Sequence, residues 1–152
     1  KNDVDAVMAT KSKRDINRPV IDNKIINEAL KDPFSKISRI NTELGRLMAL
    51  RTKQRPFHPN GAQVILDLSP SVFSVLRISP GRNQHLLSLI NVSRRPCNLE
   101  ISVSEFKIHD TRWHDLVSDM TWEVDEGILC VNILPYDVLW LRPVSEITAV
   151  TP

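Results

Sequence analysis

The distribution of apolar and polar residues divides the chain near Pro56. Charged residues and helix formers dominate before this position, and short runs of β-branched residues dominate after it. In the first part, apolar residues step by three and four, as one face of a helix does, through Phe34, Ile37, Ile40, Leu44, Leu47 and Met48. The pattern predicts an amphipathic helix that packs on an apolar surface, and nothing else before Pro56 is large enough to supply that surface.

Two aspartates mark the predicted helix starts. Asp22 is expected to cap a short helix that extends to about Leu30. Asp32 followed by Pro33 predicts the start of the long helix, because aspartate accepts from free N–H groups and proline suits the first turn. We expect this helix to end near Arg51.

The rest of the chain has the pattern of an all-β domain. Runs of β-branched and aromatic residues alternate with turn signals that contain proline, glycine or aspartate. The predicted strands are Ala62–Leu68, Val72–Ser79, His85–Val92, Leu99–Val103, Arg112–Asp115, Thr121–Val124, Ile128–Leu134 and Val138–Arg142. Many short strands at this spacing favour an antiparallel sandwich or a curled sheet.

Composition and motifs exclude several classes of function. The net charge of +2 lacks the basic excess typical of nucleic-acid-binding proteins. No apolar run approaches the roughly 20 residues that cross a bilayer. No zinc-type spacing, nucleophile elbow or glycine-rich phosphate loop is present in the sequence. Cys97 and Cys130 are expected to be buried free thiols.

Two sets of residues have both a structural and a functional interpretation. Trp113, Trp122 and Trp140 suit either core packing, which we favour, or stacking on a sugar ring. The polar, basic segment 1–18 predicts a short helix and then a loop that ends at a proline. Within it, Arg14 stands beside an aspartate, and arginine presents a planar set of donors suited to hydroxyls and carboxylates.

At this segment the chain resembles the sucrose phosphorylase group of the α-amylase superfamily, which includes relatives that act on sucrose phosphate and glucosylglycerate. The run Arg14-Asp15-Ile16-Asn17-Arg18, with Lys1-Asn2-Asp3 and Thr10, resembles the family's segment after the eighth barrel strand. The long helix resembles the last barrel helix. Looser markers of the closing β-domain are Leu66-Asp67-Leu68, Val72-Phe73, Asn91-Val92-Ser93 and the stretch 134–141.

This resemblance implies an α+β fragment of a larger enzyme. Residues 1–55 would be the last loop and helices of a (β/α)₈ barrel. Residues 56–146 would form an all-β antiparallel C-terminal sandwich domain, and residues 147–152 a tail. Active sites of such barrels lie in the loops after the strands, so the segment 1–18 would be the eighth loop. The apolar helix face would pack on the upstream part of the barrel.

The resemblance also implies a retaining double displacement in which phosphate takes the glucosyl group. The catalytic carboxylates would lie upstream of Lys1, so no catalytic residue is expected in this chain. Arg14 matches the arginine that hydrogen-bonds an outer hydroxyl of the glucosyl unit. Asp15 and Arg18 are weaker substrate-binding candidates that are expected mainly to hold the loop. Lys13 stands where the family has glycine, which leaves the acceptor sugar open.

The expected ligands are a small glucoside and inorganic phosphate as co-substrate, with no metal or organic cofactor. The expected location is the cytoplasm, and no nucleic acid or membrane partner is expected.

Two other interpretations stay open. In the first, the β-domain is a non-catalytic module of an amylase-type hydrolase that stabilises the barrel or binds carbohydrate through Trp113 or Trp122. Alternatively, the chain is an unrelated helical-plus-β interaction protein. The exposure of the apolar helix face distinguishes the interpretations, because the interaction-protein interpretation requires that face to be buried within this chain. The enzyme part instead requires much of the face to be exposed, as an apolar patch unusual on a free monomer.

Overall fold

The structure is a computed structural model that describes residues 4–12, 14 and 22–145. The chain forms two compact units, Lys1–Arg46 and Leu47–Pro152. The helices are α1 (Val4–Thr10), α2 (Asn23–Lys31) and α3 (Lys36–Thr52). The strands, all in the second unit, are β1 (Ala62–Ser69), β2 (Val72–Ile78), β3 (His85–Asn91), β4 (Cys97–Ser102), β5 (Arg112–Asp115), β6 (Thr121–Asp125), β7 (Ile128–Ile133) and β8 (Val138–Pro143).

The start of α2 follows the prediction from sequence. Asp22 lies at the N-cap in an extended conformation, and its Oδ1 accepts a hydrogen bond of 2.8 Å from the N–H of Lys24. A cap of this kind satisfies one of the amide groups that a helix leaves free at its beginning. The cap prediction for Asp22 is confirmed.

The start of α3 differs from the prediction by three residues. Asp32 Oδ1 accepts from the N–H of Phe34 at 2.9 Å, which closes a turn rather than the helix. The residue that caps α3 is Ser35, whose Oγ accepts from the N–H of Ser38 at 3.0 Å. The Asp-Pro signal was wrong about the helix start because a turn and a serine cap lie between Asp32 and Lys36.

All eight predicted strands form, and each of their ends lies within two residues of the prediction. The burial along β7 shows why its strand could be predicted from the sequence. Leu129, Val131 and Ile133 are buried, whereas Cys130 and Asn132 are exposed. This alternation is the period of a strand with one face in a core.

The strands form one antiparallel order, β1-β2-β3-β8-β5-β6-β7-β4. The sheet curls until its two edge strands approach each other, where the Sγ of Cys97 in β4 lies 3.6 Å from the Oγ of Ser69 in β1. The result is a nearly closed barrel rather than the predicted sandwich. The first residues of β6 pair with β5 and its last residues pair with β7, which joins the two halves into one sheet.

The inside of the curled sheet is an apolar core. Trp113 of β5 is fully buried at its centre. The same core cluster contains residues from strands far apart in sequence, among them Leu87, Leu89, Ile101, Leu129, Ile133 and Leu141. Burial of one such side chain stabilises the fold by about 1.5–3 kcal/mol. No helix among the described residues is long and apolar enough to cross a membrane.

The outer face of the sheet is covered in part by the segment that follows α3. A 3₁₀ turn, Arg55–Phe57, places the buried Pro56 against the sheet. The ring of Phe57 packs edge-on against Trp140, with a centroid distance of 4.9 Å. The Nε of Arg77 in β2 donates a hydrogen bond of 2.9 Å to the carbonyl of Pro56. These contacts fix the segment between helix and strands.

Candidate functional site

The predicted substrate segment follows α1. This helix ends at Thr10, whose hydroxyl donates to the carbonyl of Ala6 at 2.9 Å and accepts from the N–H of Ser12 at 3.2 Å. Lys11 has φ +57°, and its N–H donates to the carbonyl of Val7 at 2.8 Å. A left-handed residue after the last turn is a common way for a helix to end, although glycine is more usual there.

Arg14 is exposed to solvent. Within residues 4–12, 14 and 22–145, no side chain forms an ion pair or hydrogen bond with its guanidinium. Asp15 and Arg18, the two weaker candidates, lie outside the residues that the structure describes, and the roles of all three stay predictions.

The apolar face of α3 is exposed. The exposed fractions along α3 are 67% for Ile40, 60% for Met48, 56% for Leu44 and 44% for Ile37, whereas Leu47 is half-buried. Phe34, in the turn before α3, is 87% exposed. No residue of α3 is buried. The interaction-protein interpretation required this face to be buried within the chain, and that interpretation is wrong.

The same exposure extends to the two shorter helices. Neither α1 nor α2 has a buried residue. Their exposed large apolar residues are Val4, Met8, Ile25 and Leu30. The helices of the first unit therefore present several apolar surfaces to solvent.

The exposure of the three tryptophans distinguishes core packing from stacking on a sugar ring. Trp113 is 0% exposed, so it cannot stack on a sugar, and core packing is confirmed for it. Trp122, its cross-strand partner in β6, is half-buried and packs against the same core. Trp140 is half-buried and packs against Phe57. None of the three presents a freely exposed indole face.

The two cysteines and the arrangement of potential metal ligands were compared with the predictions from sequence. Cys97 and Cys130 are free thiols, but Cys130 is exposed, which contradicts the expectation of burial. It lies on the solvent side of β7, whose alternation the apolar neighbours had concealed. Across the described part of the chain, no group of three His, Cys, Asp or Glu side chains is arranged to hold a metal ion.

One charged feature was missed from the sequence. Arg51, Lys53 and Arg55 line a cavity of about 300 Å³ together with His58. The sequence signal was present, since three cations fall within five residues. Cations near the end of a helix are common because they complement the helix dipole, so the run alone does not indicate a cavity.

Two curated proteins are similar to this chain, and both are named glucosylglycerate phosphorylase. The protein from Spirochaeta thermophila is 32% identical over 147 residues, which covers 93% of this chain and 25% of that protein. The protein from Escherichia coli K12 is 27% identical over 142 residues, which covers 93% of this chain and 23% of that protein. The chain thus spans about a quarter of the length of the curated relatives that it matches. No protein-family model matches it.

Solved structures with a similar fold include AmyP and an α-amylase. AmyP in complex with maltose has a TM-score of 0.63 over 72% of this chain and 21% of that chain, at 15% identity. The α-amylase from H. orenii has a TM-score of 0.55 over 88% of this chain and 25% of that chain, at 17% identity. The second unit matches the C-terminal β-domains of such enzymes. Together with the two sequence relatives, this confirms the resemblance to the sucrose phosphorylase-like group.

Proposed function

We propose that this chain, a relative of the sucrose phosphorylase-like enzymes, is the C-terminal part of a retaining phosphorylase that acts on an α-glucoside. Residues 1–55 are then the end of the catalytic barrel, residues 56–146 its closing β-domain and residues 147–152 a tail. The chain holds no catalytic carboxylate and is inactive by itself. The same similarity motivates a cytoplasmic location.

The observation that carries the proposal is the exposed apolar face of α3. Its four exposed large apolar side chains are between 44% and 67% accessible. An exposed apolar helix face is unusual on a monomer, which supports the proposal that a further part of the protein covers it. In a (β/α)₈ barrel, each outer helix buries such a face against the strands. Relatives about four times longer than this chain supply room for that barrel.

The reaction needs two carboxyl groups about 5–5.5 Å apart, which we assign to upstream barrel strands. The aspartate attacks the anomeric carbon while the glutamic acid gives its proton to the leaving oxygen, so the glycosidic bond breaks and a glucosyl-enzyme forms. A phosphate oxygen then attacks the same carbon while its proton passes to the glutamate, and the bond between the sugar and the aspartate breaks. The product is glucose 1-phosphate with retained configuration. No metal or organic cofactor takes part in this scheme.

Arg14 is assigned to the glucose subsite. Its guanidinium is always charged and free of partners among the described residues, so it can donate to one sugar hydroxyl. A hydrogen bond from a charged donor contributes about 1.5–3 kcal/mol. The contact helps to orient the anomeric carbon toward the nucleophile. Asp15 and Arg18 are proposed to hold the loop.

Glucosylglycerate is the proposed substrate, because both curated relatives carry that substrate in their names. The test uses the longer protein that contains this sequence. Glucose 1-phosphate release is measured with glucosylglycerate, sucrose and sucrose phosphate. We expect release from glucosylglycerate and a fall of about tenfold or more in kcat/KM for Arg14→Ala, as the loss of one charged hydrogen bond implies. Arg39→Ala, which removes an exposed arginine of α3, should leave the rate unchanged.

Two results would contradict the proposal. Release of free glucose alone, with no phosphate ester, identifies a hydrolase. Equal rates for the Arg14→Ala and Arg39→Ala variants remove Arg14 from the glucose subsite, while the phosphorylase assignment stands.

A further inference from the structure

The segment after α3 forms a strongly basic cavity in the second unit. The cavity of about 300 Å³ is lined by residues 51–55, 57 and 58. A smaller cavity of about 140 Å³ shares Arg55 and His58 with it and extends to the β2–β3 turn. Among the residues that the structure describes, neither lining contains an aspartate or glutamate. The described linings of the two cavities therefore combine three permanent cations and no carboxylate side chain.

Two neutral side chains of the lining, Gln54 and His58, each accept a hydrogen bond from another residue. The Oε1 of Gln54 accepts from the Nη1 of Arg142 at 2.5 Å. The Nδ1 of His58 accepts from the N–H of Asn60 at 3.1 Å. What each side chain still offers is a donor: the amide nitrogen of Gln54 and, in neutral His58, the Nε2–H.

A side chain of the β2–β3 turn also has a donor as its remaining polar group. The Oδ1 of Asn83 accepts a hydrogen bond of 3.0 Å from the hydroxyl of Ser79. The amide nitrogen of Asn83 is thus the polar group that this side chain still offers. From the end of α3 to the turn, the described lining carries three cations and the side-chain amides of Gln54 and Asn83, beside the apolar Phe57 and Pro80.

Two guanidiniums also meet at one aromatic ring. The Cζ of Arg51 lies 5.5 Å from the centroid of Phe57, and the Cζ of Arg77 lies 5.6 Å from the same centroid. Arg77 is fixed by hydrogen bonds to the carbonyl of Pro56 and to Gln63. Cation–π attraction holds each charge at the ring, but the two like charges repel each other, and a bound anion offsets that repulsion.

The helix dipole explains only part of this cluster. Cations in the last turn of a helix are stabilised by its negative end, and Arg51 belongs to that turn. Lys53, Arg55 and His58 lie beyond the helix, in a segment whose backbone is fixed by the 3₁₀ turn. The dipole gives no reason for donors from a separate strand turn to face the same space.

We propose that this cavity is an oxyanion site that binds the phosphate group, either as inorganic phosphate or as a small phosphomonoester. Guanidinium, ammonium and neutral N–H donors together suit a doubly charged tetrahedral anion better than a single carboxylate. A volume of about 300 Å³ accommodates the phosphate together with a small organic group. Binding of an anion at this site does not depend on the proposed reaction.

The test is a titration of the 152-residue chain, followed by backbone amide NMR shifts, with inorganic phosphate, glucose 1-phosphate and chloride at matched ionic strength. We expect saturable shifts in residues 51–58 and 79–83 with a phosphate ligand and none with chloride. Arg55→Gln and Lys53→Gln should each weaken binding by about tenfold or more. Their side chains make no hydrogen bond or ion pair with described residues, so the fold should persist. Arg112→Gln, at an exposed position of β5, is the matched control and should bind normally.

The ligand series distinguishes the two sources of phosphate. Tighter binding of glucose 1-phosphate indicates a phosphomonoester site, and equal or tighter binding of inorganic phosphate indicates a free-phosphate site. The proposal is overturned if no shift saturates, if chloride gives the same shifts, or if Arg112→Gln weakens binding equally. It is also overturned if, in the longer protein, Arg55→Gln lowers the melting temperature while phosphate has no effect, because carboxylates of the same protein then fill the cavity.

Discussion

The side-chain nitrogen of Asn91 donates a hydrogen bond of 3.1 Å to the carbonyl of Ile133, which lies 42 residues further along the chain. The same nitrogen lies 3.0 Å from the carbonyl of Leu134 and 2.7 Å from that of Arg95. Its partner atom Oδ1 accepts from the N–H and the hydroxyl of Ser93 at 2.9 and 2.8 Å. Asn91 is 1% exposed. One buried amide thus ties the end of β3 to the end of β7.

Asn91→Asp is expected to destabilise the second unit by about 3 kcal/mol, since a buried carboxylate replaces the donor that faces three carbonyls. The control is Asn98→Asp, at an exposed position whose Oδ1 only accepts from Asn132 and can still do so as a carboxylate. Urea unfolding of both variants measures the difference. Equal unfolding midpoints would contradict the role assigned to Asn91.

Trp113 and Trp122 should differ sharply when each is replaced by alanine. Trp113→Ala is expected to cost about 3–5 kcal/mol because it leaves a cavity in the core, and half-buried Trp122 should cost less. Addition of maltose or glucosylglycerate should not change the fluorescence of Trp113 in a Trp122→Phe, Trp140→Phe background. A saturable change in that background would contradict the assignment of Trp113 to the core.

Two glycines should respond to alanine with opposite signs. Gly45 lies within α3 with no atom within 4 Å of a new Cβ, so Gly45→Ala should stabilise the helix by about 0.5–1 kcal/mol. A Cβ at Gly61 would lie 2.6 Å from the carbonyl oxygen of Ile78 and 3.1 Å from that of His58, both backbone atoms that cannot easily move. Gly61→Ala should therefore destabilise the chain by more than about 1 kcal/mol. Thermal unfolding of the 152-residue chain measures both, and a change of the same sign would refute the comparison.

The exposed face of α3 should affect stability only when the rest of the proposed barrel is present. Ile40→Gln with Leu44→Gln is expected to leave the melting temperature of the 152-residue chain unchanged, because both side chains are already exposed. In the longer protein, the same pair should lower the melting temperature by about 5 °C or more, since burial of each contributes about 1.5–3 kcal/mol. Arg39→Gln, on the polar face, is the control. No effect in the longer protein would mean that the face stays uncovered.

The strands were predictable because the sequence signals that define each strand lie within the strand and the turns beside it. Each run is bounded by a turn signal, and residues such as Gly127, with φ +81°, stand where the chain reverses. Core and surface positions of β7 follow from alternation alone. The start of α3 was misjudged because two local signals compete there, and the choice of Ser35 over Asp32 depends on how the α2–α3 turn closes. In that turn, the hydroxyl of Ser35 donates to the carbonyl of Ala29.

The sheet order and the basic cavity were not predictable, because both depend on contacts between distant residues. The pairing of β4 with β7 and of β5 with β8 cannot be predicted from the sequence pattern of any one strand. The cavity needs Arg55 and Asn83 in one place, and only the packing of the 3₁₀ turn on the sheet brings them there. The proposed role of Arg14 came from resemblance, because an exposed arginine has no packing signal of its own.

The position of β8 between β3 and β5 determines when this unit can fold during synthesis. The ribosome releases β1 to β7 before the strand that joins them has been made. Until residues 138–143 emerge, β3 and β5 each carry an open hydrogen-bonding edge, and the apolar inner face is only half enclosed. A nascent chain that pauses before Val138 is therefore expected to expose two aggregation-prone edges, one on β3 and one on β5.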